Sequence, residues 1–210
     1  IQALRPQAIV AEDPRTATLA MVARAVSGAP RPRVICEVHG DWRHSTRLYG
    51  SEGRRLLTPL VDALDRYGVR HADAVRALSP YTARLVEEVR GRAPDAVFPT
   101  FTDLSVFAER PVAPLPERPT ALFVGVLERY KNVHAIADAW RLAAPRLPEA
   151  TLRIVGDGRH RDVLEALLAD LPGRVTWERR LETPELVGAL DDAWLLLLAS
   201  RSEGTPRVVL

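Results

Sequence analysis

The feature that most constrains this chain is a regular alternation of short apolar, β-branched runs with stretches of helical periodicity. Strand-like runs fall at 8–11, 34–38, 74–78 and 96–98 in the first half, and at 121–124, 152–155, 175–177 and 194–199 in the second. Helix-like stretches lie between them, near 15–26, 54–70, 80–90, 132–143, 159–170 and 184–192. Several open on a capping residue or an early proline: Ser79-Pro80, Asn132 and Thr183-Pro184. Strand–helix alternation of this kind predicts βαβ units and parallel sheets.

One segment interrupts the pattern. Residues 109–119 read ERPVAPLPERP, with four prolines and no periodicity. Proline fixes φ and removes a backbone donor, so the segment belongs to neither a helix nor a central strand. It reads as a linker between two α/β units, 1–108 and 120–210.

Composition bounds what these units do. The net charge is only +2, which does not suit a nucleic-acid binder with a basic face. A single cysteine, Cys36, lies inside an apolar run; it cannot form an internal disulfide, reads as a buried packing thiol, and fits a reducing compartment. No apolar stretch approaches the ~18 residues of a membrane span, and no signal peptide opens the chain. The chain starts at Ile1, so it is expected to begin inside a longer protein or after processing. Lysine and arginine total 29, and Lys131 is the only lysine among them. That makes its position worth examining.

In open parallel sheets ligands bind beyond the carboxyl ends of the strands. Four such ends carry polar or glycine residues: His39-Gly40-Asp41, Gly125 with Glu128 to Lys131, Gly156-Asp157-Gly158, and Ser200 to Gly204. Together they suggest a cleft between the two units. Lys131 stands at the start of a helix that Asn132 would cap, where free N–H groups and the dipole already favour anions. A lysine there suits a phosphate; the competing reading is an exposed surface lysine. Glu203 beside Gly204 could accept hydroxyl hydrogen bonds from a sugar, or be a solvated loop glutamate. His39 could meet a substrate or be a satisfied structural histidine. Gly156-Asp157-Gly158 lacks the third glycine of a dinucleotide fingerprint and reads as a strand–helix turn. His44, His71, His134 and His160 show no metal-ligand spacing. The basic stretch 43–55 could meet an acidic acceptor or a membrane surface, and suits a solvated loop better.

The ordered set FVGVLERYKN, LRIVGDG and ALDDAWLLLLASRSEGTPRVVL resembles the retaining glycosyltransferases of family four, which have the GT-B fold. VICEVHGDW and ADAVRALSPYTARLVEE resemble that family's acceptor-side domain. The resemblance implies an α/β, GT-B-like fold with two Rossmann-like parallel-sheet domains, both incomplete here. It implies a glycosyltransferase, metal-independent and without a cofactor, that moves a sugar from a nucleotide-sugar donor to a glycan, lipid or small-molecule acceptor with retention of configuration. Lys131 and Gly125 should bind the donor, with Lys131 on the diphosphate. Glu203 should contact the transferred sugar, with the Gly204 and Thr205 backbone beside it. His39 should lie next to the sugar, with Gly40 allowing close approach. The expected location is cytoplasmic, with contact at the inner membrane face left open.

Two departures stand out. The family's arginine after the first glycine is Val126 here, and Arg129 is the one nearby substitute. The family's second carboxylate would fall at position 211, one past the last residue. The 210 residues alone are therefore expected to be inactive. Two other readings stay open: a non-catalytic nucleotide-sugar-binding relative and a GT-B-fold sugar-nucleotide epimerase.

Overall fold

A computed structural model of the chain describes residues 5–27, 31–44 and 57–210. It divides into two compact units: 1–102 with 202–207, and 103–201 with 208–210. Each is an α/β unit built on a parallel sheet.

The first unit runs β1 (Ala8–Ala11), α1 (Pro14–Val26), β2 (Arg33–Val38), α2 (Thr58–His71), β3 (Ala74–Ala77), α3 (Pro80–Arg90) and β4 (Ala96–Val97). The sheet order is β1-β2-β3-β4, with every neighbouring pair parallel. Its helices start as their sequences direct. The Asp13 carboxylate accepts from the Thr16 N–H at 2.8 Å to cap α1. Ser79 and Thr82 form a reciprocal capping box on α3, and Gly91 ends that helix in a left-handed conformation. The predicted start of α2 near 54 lies outside the described residues; the helix is seen from Thr58. Val34, Cys36 and Val38 project from one face of β2 into a core with Val75, Val69, Val86, Met21 and Trp42.

The second unit runs α4 (Ser105–Ala108), β5 (Thr120–Val124), α5 (Val133–Ala143), β6 (Thr151–Val155), α6 (Arg161–Asp170), β7 (Val175–Glu178), α7 (Thr183–Asp191) and β8 (Leu195–Leu196). Its sheet order is β7-β6-β5-β8, again parallel throughout. Side chains alternate across a strand. Phe123 therefore joins Leu152, Ile154, Ile136, Trp140 and Leu164 on one face, while Leu122 joins Val155 and Ala189 on the other. Burial on both faces is what a parallel sheet requires.

Three details differ from the sequence expectation. The apolar run 194–199 pairs as a strand only at Leu195–Leu196, although the Leu197 N–H still reaches the Leu122 carbonyl at 2.7 Å. The N-cap of α7 is Glu182, whose N–H donates to the Glu185 carboxylate at 2.8 Å, one residue earlier than expected. The proline-rich segment 109–119 forms neither helix nor strand and belongs with the second unit, where Arg110 pairs with Asp191 and the Trp194 indole donates to the Pro116 carbonyl. The division between units falls ahead of that segment, at Thr102/Asp103.

Candidate functional site

In the second unit the loops after β5 and β6 are laced together by backbone. The Gly125 N–H donates to the Val155 carbonyl at 2.9 Å, Leu127 N–H to Asp157 at 2.9 Å, and His160 N–H to Leu127 at 3.1 Å. Gly156 has φ +150° and leaves no space for a side chain: a Cβ would stand 1.8 Å from the Gly125 oxygen. The Asp157 carboxylate is engaged within the loop. Arg161 holds it at 2.5 and 2.7 Å and the Gly158 N–H at 2.8 Å, and these bonds, Arg161 first, lower its pKa. This stretch is a turn that fixes two loops.

Lys131 closes a single 3-10 turn, Arg129–Lys131, immediately before α5. It is 9% exposed, so the surface-lysine reading does not hold. Its Cε and Cδ lie 3.5 and 3.7 Å from where a Cβ on Gly125 would be, and its ammonium is 5.3 Å from the centre of the Tyr130 ring. The lysine stem therefore runs beside Gly125 at ordinary contact distance, and the aromatic face is within cation–π range of the charge. Asn132 does not cap α5 with its side chain. It takes a left-handed conformation, φ 58°, between the 3-10 turn and the helix. Val126 and Arg129 are both exposed.

In the first unit the informative end is that of β2. His39 follows the strand, with 45% of its side chain exposed, and its Nε2 lies 3.2 Å from Glu37 Oε2. Glu37 also pairs with Arg76, its direct partner across the β2–β3 register. Arg76 donates to the Pro99 carbonyl at 2.9 Å and stacks 4.0 Å from the Phe98 ring centre. Sequence reasoning picked out His39 and missed Glu37 and Arg76. The i, i+2 spacing of Glu37 and His39, which puts both on one face of a strand, was the available signal.

Asp41 is buried and accepts from the Arg43 N–H at 3.1 Å, its Nε at 3.0 Å and the Tyr81 hydroxyl at 3.2 Å. Burial, and then the Asp41 charge, push the Tyr81 phenol up. Gly204 packs against the same turn: a Cβ there would stand 1.6 Å from the His39 carbonyl oxygen. His39, Gly40 and Gly204 are therefore brought together, while Glu203 and Thr205 flank Gly204 half-buried. Cys36 is fully buried, and burial raises its thiol to about 12.

Among the described residues, no group of three or more His, Cys, Asp or Glu gathers where it could hold a metal ion. No helix among them is long and apolar enough to cross a membrane. Of the basic stretch 43–55, positions 45–55 lie outside the described residues.

Comparison with known proteins follows the two units. Residues 1–100 match the family described as glycosyl transferase 4-like domain, and residues 107–210 match glycosyl transferases group 1. No curated protein matches in sequence. Among solved structures the chain is similar to sucrose-phosphate synthase from Thermosynechococcus elongatus, with TM-score 0.72 and 18% identity over 96% of this chain and 52% of that one. It is similar to HepE of Anabaena, solved with UDP and glucose, with TM-score 0.66 and 17% identity over 97% and 55%. It is also similar to α,α-trehalose 6-phosphate synthase from Burkholderia multivorans, with TM-score 0.65 and 13% identity over 98% and 54%. At these identities the likeness is one of fold. The chain spans about half the length of these three proteins, 36% of a mutant of TarM from S. aureus, and 38% of a second TarM structure. The two family matches, end to end over two parallel α/β units, show that this chain belongs to the GT-B glycosyltransferases.

Proposed function

We propose that this chain serves glycosyl transfer from a nucleotide-sugar donor to a glycan, lipid or small-molecule acceptor, with retention of configuration and without a bound metal or cofactor. The observation that supports this reading best is Lys131, a buried lysine in the loop that follows β5, with its stem beside Gly125. A glycosyl donor leaves as a nucleoside diphosphate, so negative charge grows on the leaving phosphate. A fixed positive charge in a partly desolvated place stabilises that charge without reorganising at the moment of reaction. On this reading Lys131 and Gly125 serve the diphosphate, and Glu203, with the Gly204 and Thr205 backbone, serves the transferred sugar. His39 accepts from a sugar hydroxyl. The buried free thiol of Cys36 fits the reducing cytoplasm, where nucleotide sugars are used.

The test is a panel of UDP-, GDP- and ADP-sugars offered to the whole protein with and without candidate acceptors, following nucleoside diphosphate release and product anomer. Release that depends on acceptor, with the donor's anomeric configuration kept, is the expected result. Epimerised donor without acceptor, an inverted product, or donor binding with no turnover for any acceptor would each overturn it.

A further inference from the structure

We propose that Glu37 is a positioning residue for His39: it fixes which imidazole nitrogen carries the proton, and so which atom His39 offers to a sugar. This rests on the reading above that His39 meets the transferred sugar. Glu37 and His39 are two apart along β2 and its exit, so their side chains share one face. Each oxygen of the Glu37 carboxylate has its own partner. Oε1 pairs with Arg76 Nη1, and Oε2 lies 3.2 Å from His39 Nε2.

The chemistry of the three groups then settles the proton. A carboxylate only accepts and a guanidinium only donates. For the contact to be a hydrogen bond, Nε2 must carry hydrogen. In the neutral ring Nδ1 is then the lone pair, an acceptor suited to a sugar hydroxyl. Arg76 holds the carboxylate in this orientation, being itself fixed by the Pro99 carbonyl and the Phe98 ring. Glu37 is only 14% exposed, so water competes little for its oxygens. The plainer account makes Glu37 a tie between β2 and β3, with His39 resting against it without consequence.

Glu37→Gln separates the two. Glutamine keeps the shape but offers one oxygen and one NH₂. Arg76, which can only donate, takes the oxygen. The amide N–H then faces His39, which must accept at Nε2 and carry its proton on Nδ1. Long-range ¹H–¹⁵N correlation on histidine-labelled chain, recorded at a pH where the spectra themselves show neutral rings, reads this directly. Wild type should show His39 as the Nε2–H tautomer, and Glu37→Gln as the Nδ1–H tautomer, with the other histidine signals unmoved.

In the whole protein, Glu37→Gln should lower kcat about tenfold or more, as loss of a group that holds a histidine tautomer does, with donor KM changed little. Glu37→Asp, which keeps the carboxylate, should recover part of the loss. A wild-type His39 in the Nδ1–H form overturns the proposal even if Glu37→Gln fails to fold. So does a variant whose tautomer does not change, or one whose tautomer flips while turnover stays at the wild-type rate. His39→Ala distinguishes the premises. Wild-type turnover in that variant removes His39 from the sugar, whereas a slow His39→Ala beside an unaltered Glu37→Gln removes Glu37 alone.

Discussion

A lone lysine among so many arginines would ordinarily keep its strongly hydrated ammonium in water. Lys131 is instead a buried residue, with its stem running beside Gly125. If that charge meets the donor diphosphate, Lys131→Ala removes a charged hydrogen bond worth about 1.5–3 kcal/mol. That is roughly a ten- to hundredfold loss in kcat/KM, measured by nucleoside diphosphate release from the whole protein. Turnover equal to wild type would take Lys131 out of the site.

Cys36 makes a second residue-level claim. Burial raises its thiol from the ordinary 9.0 to about 12, so the fold favours the protonated form. The resulting stability is complete below the unfolded value and is lost as pH rises toward the folded one. Urea unfolding should therefore weaken between about pH 9 and 11, by up to ~1.4 kcal/mol per unit from this group. Cys36→Ala should show a shallower alkaline slope, whatever its starting stability. Equal slopes in the two proteins would mean that the thiol ionises as easily in the fold as out of it.

At the scale of elements, a single device recurs in the first sheet. Asp73 and Asp95 each stand one residue before a strand, and each clamps one residue of the neighbouring strand. Asp73 donates its N–H to the Val34 carbonyl and accepts the Val34 N–H on its carboxylate at 2.7 Å; Asp95 does the same to Val75, at 2.8 Å. Arg24 and Arg90 complete the two clusters. Burial pushes both carboxyls up, but the strand N–H and the arginine outweigh it, and both pKa values are lowered. A depressed folded value gives stability that is present above the ordinary carboxylate range and lost on acidification. Unfolding of the first unit should become easier below about pH 4, and Asp73→Asn should flatten that acid limb.

In the second unit Gly156 plays the corresponding part. Gly156→Ala combines φ +150° with a Cβ 1.8 Å from a carbonyl oxygen. It should cost at least ~2 kcal/mol in thermal unfolding; an unaltered midpoint would refute the close approach.

Most of this framework was legible because strands and caps are local. The run before Ser79-Pro80 reads as strand, and a serine just before a proline reads as a helix start; that Thr82 completes a capping box there is seen only in the structure. Asn132 misled because Asn tolerates the left-handed region as well as it caps, and the 3-10 turn before it decides which. α4, four residues long, is too short to show periodicity. Gly125 and Lys131 were legible as strand-end residues. The Glu37–Arg76 pair was not, because it depends on which strands are neighbours and in what register, and neither is written in local pattern.

On the scale of the whole molecule, the cores are separate. The apolar cluster of the first unit draws on residues from Ala11 to Val86, and the two clusters of the second on residues from Ala121 onward. Among the described residues, no buried side chain belongs to the clusters of both units. Cooperative unfolding arises when losing one set of contacts exposes another, and two cores that share no side chain lack that linkage. Leu85 and Leu164 are equivalent probes, each a buried leucine on a helix packed against its own sheet. Truncation of either to alanine should cost about 2–5 kcal/mol. Leu164→Ala should speed native-state hydrogen exchange across β5, β6 and β7 while β1, β2 and β3 exchange as in wild type. Leu85→Ala should do the reverse. If either variant accelerates both sheets to the same extent, the two units unfold as one, and the assignment of stability to two independent cores fails.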